Sequence, residues 1–133
     1  MTLSNSERSA LVAYRLEKSL QTFVEMKAVA DLGFWNLAAN RLYYAAYYAS
    51  VALLINDGIV ASTHKGAIRM ISLNFIKNGI LKTEDSQLLG RLFSMRQTGD
   101  YDDLFDWTQN DIIPLIPKVE DYINRINSII NGL

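Results

Sequence analysis

Cysteine is absent from this chain, and histidine occurs only once. Without cysteine the chain forms neither disulfides nor cysteine-ligated zinc or iron–sulfur sites. A lone histidine offers no second imidazole ligand for zinc. The acids of residues 99–106 lack the glycine and glutamate positions of an EF-hand calcium loop. We therefore expect no metal and no cofactor.

Long uninterrupted apolar runs are also missing. The longest, Ala45 to Ile55, is too short to span a membrane and contains two tyrosines and a serine. Charged residues interrupt the N-terminus, so it has no signal-peptide core. A length of 133 residues suits one domain. We expect a single domain over 1–133 in a soluble, cytoplasmic protein that does not interact with a membrane.

Glycine and proline are scarce, and no stretch alternates polar with apolar residues as a strand would. Five stretches have helical periodicity, so the sequence predicts an all-α fold. In the first, Leu16, Leu20, Phe23 and Val24 keep the spacing of an apolar face. In the fifth, two prolines predict a kink or irregular first turns. The predicted helices are 5–31, 35–57, 64–78, 84–99 and 109–131.

The second predicted helix is apolar or aromatic on nearly every side. Six alanines permit close approach of other helices, and four tyrosines supply contact area with polar tips. A helix without a polar face is buried all round. Either a central position in the bundle or a dimer interface would bury it.

Charge is distributed unevenly, although the net charge is only −1. Residues 41–99 carry seven Lys or Arg against three Asp or Glu, and residues 100–121 carry seven acids against one lysine. This asymmetry could separate an anion-facing surface from a partner-facing one. It also fits two ordinary solvated faces.

Two cationic positions stand out in the middle of the chain. Arg41 lies within the tyrosine-rich helix, where it either pairs with an acid or a tyrosine ring or binds phosphate in a cleft. His64 begins the third helix beside Lys65, where the helix dipole would favour an anion and lower the histidine pKa. Alternatively, His64 is a capping residue bonded to the backbone.

Arg96, Asp100 and Tyr101 form a third candidate. Arg96 follows Leu92 by four residues and so lies at the end of an apolar stripe. One interpretation is an ion pair with Asp100 at a helix end. The other is that Arg96 faces packing or a cleft.

Three segments resemble a prokaryotic, toxin–antitoxin-associated branch of the HEPN family (higher eukaryote and prokaryote nucleotide-binding). They are AANRLYYAAYYASVALLINDGI, THKGAIRMISLNFIKNGIL and LGRLFSMRQTGDYDDLF. The combination of R-x-Y-Y-A, T-H-K-G and R-x-x-x-D-Y carries the resemblance, which covers about residues 35–106. It implies an up-and-down helical bundle, a homodimer with a cleft near the dimer seam, and often a minimal nucleotidyltransferase as partner.

Many family members are metal-independent RNases, and the resemblance implies a catalytic arginine followed a few residues later by a histidine. Arg96 matches that arginine, but Tyr101 stands where the histidine would be. A phenol with an ordinary pKa near 10 is a poor general base at neutral pH. Asp100 could polarise it, or His64 could enter the cleft from another helix.

Three functions follow as hypotheses. The first is a homodimeric domain that binds RNA or a nucleotide. The second is an endoribonuclease in which Arg96 steadies the phosphate and Tyr101 or His64 moves the proton. The third is a helical scaffold that binds no ligand. The residues predicted to bind RNA or a nucleotide are Arg41, Tyr44, His64, Lys65, Arg96, Asp100 and Tyr101.

Overall fold

The computed structural model describes residues 3–101 and 106–132, apart from the side chains of residues 99–101. Its described residues form helices and no strand, so the all-α prediction is confirmed. The elements, in chain order, are α1 (Asn5–Asp31), α2 (Trp35–Asn56), α3 (His64–Ile71), a π-helical turn (Ser72–Ile76), α4 (Thr83–Tyr101), α5 (Gln109–Ile112), a 3-10 turn (Ile113–Leu115) and α6 (Ile116–Asn131).

Helix α1 begins at a capping box. The Ser4 hydroxyl accepts a hydrogen bond from the Glu7 amide, and the Glu7 carboxylate accepts one from the Ser4 amide. These two bonds satisfy amides that a helix start leaves unpaired. The helix is followed by Gly33, whose φ of +79° is a left-handed conformation that favours glycine. The predicted bounds of this helix are confirmed.

The face that α1 buries differs from the predicted one. Leu20 and Val24 are 51% and 66% exposed, whereas Ser19 is fully buried. The Ser19 hydroxyl donates to the carbonyl of Ala45 at 2.6 Å, so its polar atom is satisfied inside the core. The prediction was wrong at Leu20 and Val24 because a small hydroxyl residue fits closely against the alanines of α2, where hydrophobicity alone would have placed a leucine.

Helix α2 is the centre of the bundle, packed against α1, α3, α4, α5 and α6. All six of its alanines are buried. The rest of the chain therefore buries most of this helix, whereas Leu37 is 47% exposed and Tyr44, Tyr47 and Tyr48 are half-buried. Tyr122 of α6 is also fully buried, and its hydroxyl shares a hydrogen bond of 2.6 Å with the Ser50 hydroxyl.

The third predicted helix is divided. Helix α3 ends at Ile71, and the chain continues through the π-helical turn, where the Lys77 amide donates to the Ser72 carbonyl at 3.0 Å. The Asn74 side chain donates to the Met70 carbonyl at 2.9 Å and so competes with the regular backbone pattern. The helical region thus ends at Ile76 instead of Asn78.

The predicted irregularity at the prolines is confirmed. The 3-10 turn contains Pro114, and Pro117 occupies the first turn of α6, where a missing amide costs little. Helix α5 begins after Thr108, which forms a capping box with Asp111. The last predicted helix is therefore a short helix, a tight turn and a long helix in succession.

An ion pair joins α4 to α6. Asp85 is 1% exposed, and its carboxylate accepts hydrogen bonds from the guanidinium of Arg125 and from the Lys82 amide. Along the chain, Asp85 is an acid in the first turn of α4. Its pairing with a residue forty positions away is a tertiary contact that no local pattern indicates. None of the described helices is both long enough and apolar enough to serve as a membrane span.

Candidate anion-binding site

Four tyrosines of α2 project together because they occupy two adjacent pairs one helical turn apart. Tyr43 is 1% exposed, and the other three are half-buried. The ring centres of Tyr43 and Tyr44 lie 5.2 Å apart, edge to face, and those of Tyr44 and Tyr48 lie 5.8 Å apart. With His64, these tyrosines form what we call the aromatic cluster: Tyr43, Tyr44, Tyr47, Tyr48 and His64.

The start of α3 brings His64 into this cluster. Thr63 caps the helix, and its hydroxyl accepts a hydrogen bond from the Gly66 amide at 2.9 Å. The imidazole stacks on the Tyr47 ring, with ring centres 4.3 Å apart and planes 16° from parallel. Its Nδ1 atom lies 2.6 Å from the Tyr43 hydroxyl. The imidazole is therefore held by side chains of α2 and not by the backbone of its own helix.

Burial sets the protonation state of this pair. It lowers the pKa of His64, and the neighbouring Arg96 charge lowers it further. The direction agrees with the sequence-based expectation, and burial and the charge of Arg96 cause it here. Burial also raises the pKa of Tyr43, so its phenol stays protonated. A phenol is a much stronger acid than a neutral imidazole N–H, so we infer that Tyr43 donates to Nδ1 and that His64 carries its own proton on Nε2.

Arg96 approaches the same tyrosines from α4. Its guanidinium carbon lies 5.7 Å from the ring centre of Tyr43 and 5.6 Å from that of Tyr44. These distances are within the range of cation–π attraction. The side chain is half-buried, beyond a stripe of buried leucines. Its predicted place at the end of the apolar stripe of α4 is what brings it to the cluster.

Arg41 reaches the Tyr44 ring from α2 itself, with its guanidinium carbon 5.5 Å from the ring centre. It also donates to Glu25 on α1 at 3.2 Å and to the neighbouring Asn40 at 2.9 Å. Both the acid partner and the tyrosine ring proposed from the sequence are therefore present. Arg41 and Arg96 thus converge on one ring from two helices.

The other residues predicted to bind RNA or a nucleotide are Lys65, Asp100 and Tyr101. Lys65 is exposed next to His64. The side chains of Asp100 and Tyr101 lie outside the described residues, so their pairing with Arg96 and their chemical roles remain predictions. Among the residues that the structure describes, no group of acids and histidine could hold a metal ion.

The sequence did not reveal Arg15 of α1. Its guanidinium carbon lies 5.7 Å from the Tyr14 ring centre and 5.9 Å from that of Tyr48. The available signal was its spacing, three residues after Val12 and four before Ser19, both of which are buried. The sequence also gave no indication that Tyr43 would hold the histidine.

A second overlooked contact lies at the start of α2. The Asn36 side chain donates to the Asp106 carboxylate at 2.8 Å and accepts from the Trp107 amide at 2.7 Å. Both polar atoms of one amide side chain are therefore used. They anchor the described residues that precede α5 to the N-terminal end of the helix that carries the tyrosines.

Comparison with known proteins gives a consistent result. The model of the HEPN domain family matches residues 12–129. A UPF0332 protein of Thermotoga maritima is 27% identical over 96% of this chain and 97% of its own length. A provisionally named toxin of Methanocaldococcus jannaschii is 26% identical over 83% of this chain and 75% of its own. A UPF0332 protein of Archaeoglobus fulgidus is 24% identical over 88% of this chain and 93% of its own length.

Proposed function

This chain belongs to the HEPN family, and from that premise we propose that it binds RNA or a nucleotide through the aromatic cluster and its flanking arginines. The observation that carries the proposal is the convergence of Arg41 and Arg96 on the ring of Tyr44. Two guanidiniums beside one aromatic face combine contacts to phosphate with a surface on which a base can stack.

The state of His64 favours binding over catalysis. In the tautomer that we infer, its Nδ1 atom accepts from Tyr43 and its Nε2 atom carries a proton. A general base needs a free lone pair within reach of the proton that it removes. In this arrangement the imidazole presents an N–H donor, which suits contact with a phosphate oxygen.

The ion pair between Arg41 and Glu25 is weak enough for a bound anion to replace Glu25. The side chains of the pair are 27% and 60% exposed, so solvent screens their attraction, and exposed pairs of this kind contribute little to stability. A phosphate can compete for the guanidinium because it offers the same bidentate geometry as a carboxylate.

The central test measures the binding of labelled single-stranded RNA by fluorescence anisotropy, in a buffer that contains a metal chelator. Arg96→Ala removes one charge-assisted contact, which is worth about 1.4 kcal/mol, or about tenfold in Kd. Lys118→Gln removes a positive charge from an exposed position on α6 and should leave Kd unchanged. If wild-type protein raises the anisotropy of neither labelled RNA nor a labelled nucleotide, the proposal is refuted.

Gel analysis of the same samples tests the endoribonuclease alternative. That alternative rests on Arg96, which matches the catalytic arginine of the family resemblance. A cyclic-phosphate product that forms in chelator and is lost in Arg96→Ala would establish cleavage. Retarded RNA that stays intact would support binding alone.

Glu25→Gln separates the binding proposal from the scaffold alternative. If Arg41 contacts phosphate, releasing it from Glu25 should tighten RNA binding by about two- to fivefold, since a competing charge is removed. Under the scaffold alternative, Glu25→Gln should lose a little stability and should not change RNA binding.

We further propose the homodimer and the minimal nucleotidyltransferase partner that the family resemblance implies. The provisional toxin name of the relative from Methanocaldococcus jannaschii supports placement in the toxin-associated branch. Sedimentation equilibrium would reveal the mass of the homodimer. Co-purification with the product of an adjacent gene would test the partner, and a monomer without such a partner would contradict this part of the proposal.

A further inference from the structure

Arg15 extends the row of guanidiniums that Arg41 and Arg96 form. Its guanidinium carbon lies 5.9 Å from the ring centre of Tyr48, which is one helical turn beyond Tyr44 on α2. The ring centres of these two tyrosines are 5.8 Å apart. Cationic groups from α1, α2 and α4 therefore flank successive rings along one surface.

The charge of Arg15 has no acidic partner in the part of the chain that the structure describes, whereas Arg41 has Glu25 and Arg125 has Asp85. Its Nε atom is shielded from water and has no hydrogen-bond acceptor among the described residues. Buried donors usually have acceptors, and leaving one unsatisfied has a free-energy cost. Among the described residues, no carboxylate forms an ion pair with the other N–H groups of this guanidinium either.

The charge of Arg15 also influences Tyr47, the tyrosine that contacts His64. Burial raises the pKa of Tyr47, and the positive charge of Arg15 opposes that rise. Tyr47 is the residue on which His64 stacks at 4.3 Å. Arg15 is therefore close enough to the aromatic cluster to influence an anion bound there.

We propose that Arg15 is a second anion contact, which together with the Tyr48 ring extends the binding surface over successive nucleotides of a single strand. This inference rests on the proposed function, since it assumes that the aromatic cluster binds a nucleic acid. A mononucleotide would use Arg41, Arg96 and Tyr44, whereas a longer strand would also place a phosphate at Arg15. Stacked rings with interleaved cations are a common way to bind single strands without sequence preference.

The experiment compares RNA ligands of two lengths, about two and about ten nucleotides, with the same protein variants. In Arg15→Gln, affinity for the longer RNA should fall by about five- to tenfold, and the log–log salt slope should fall by about 0.7, as expected for one lost phosphate contact on a single strand. Affinity for the dinucleotide should not change. Lys118→Gln, which removes an equal charge elsewhere, should change neither.

Arg15→Lys provides a variant that keeps the charge. It should keep the salt slope of the wild type while recovering only part of the affinity, because lysine lacks the planar guanidinium that lies over the Tyr48 ring. It also covers the case in which Arg15→Gln does not fold.

Two results would overturn the inference and can be told apart. If wild-type protein binds RNA and Arg15→Gln binds both lengths as tightly as the wild type, Arg15 is a packing residue and the proposed function stands. If wild-type protein binds neither length, the proposed function fails, and this inference fails with it.

Discussion

The hydrogen bond between Tyr43 and His64 gives a prediction whose size can be worked out from the structure. Tyr43→Phe removes the hydroxyl that lies 2.6 Å from Nδ1 and keeps the ring with its contacts to neighbouring aromatic residues. The net worth of one such bond is about 1 kcal/mol. For a domain of this size, that loss corresponds to a fall in Tm of about 3–5 °C.

Thermal unfolding followed by circular dichroism measures this shift. The matched control is Tyr14→Phe, because Tyr14 is 55% exposed and water can replace any bond of its hydroxyl. A surface change of this kind usually alters stability by less than about 0.5 kcal/mol. The difference between the two variants isolates the buried hydrogen bond from the general effect of removing a phenol oxygen.

A second measurement tests the geometry directly. His64 is the chain's one histidine, so its nitrogen-15 resonances are unambiguous in NMR spectra. The wild type should show a proton on Nε2 and an accepting Nδ1, and Tyr43→Phe should move the ring toward the tautomer mixture of a free imidazole side chain. Equal Tm values for the two phenylalanine variants, together with an unchanged tautomer, would refute the assigned role of Tyr43.

Two further predictions concern stability. Asp85→Asn should destabilise the fold by about 2–3 kcal/mol in urea unfolding, because it leaves the guanidinium of Arg125 facing the NH2 group of an amide, which cannot accept a hydrogen bond. Asp121→Asn is the control, since Asp121 is exposed. An equal loss of stability in both variants would contradict the assigned ion pair. Burial lowers the pKa of His64 in the folded protein. As the pH falls below about 6.5, the histidine of the unfolded chain is therefore protonated before that of the folded chain, and the free energy of unfolding decreases. The stability advantage of the wild type over His64→Gln should therefore shrink with falling pH, and an advantage that stays constant would contradict this sign.

The pairing of His64 with Tyr43 also affects what the site can do. A histidine whose lone pair is occupied cannot remove a proton from a 2′-hydroxyl until that bond breaks. If cleavage is nevertheless observed, Tyr43→Phe should raise its rate by freeing Nδ1, whereas a pure binding domain would show only a change in affinity.

Much of the helical architecture was accessible from the sequence. The bounds of α1 and the interruption at Pro114 and Pro117 were predicted because helix-end signals and proline effects involve residues within a few positions of one another. The place of Arg96 at the end of an apolar stripe followed from helical periodicity in the same way. These are local properties of the chain, and tertiary packing did not override them.

The tertiary structure alone decided which side chains meet. Leu20 faces solvent and Ser19 faces the core because the alanines of α2 allow a close approach that favours a small residue. The contact of Arg15 with Tyr48 joins residues from different helices, as the pairing of Tyr43 with His64 does. Periodicity fixes where a residue lies around its own helix, but the relative rotation of two helices depends on how their whole surfaces interlock. The sequence by itself therefore determined the helices and the candidate cations, and packing determined that Arg41, Arg96 and Arg15 flank one set of tyrosine rings.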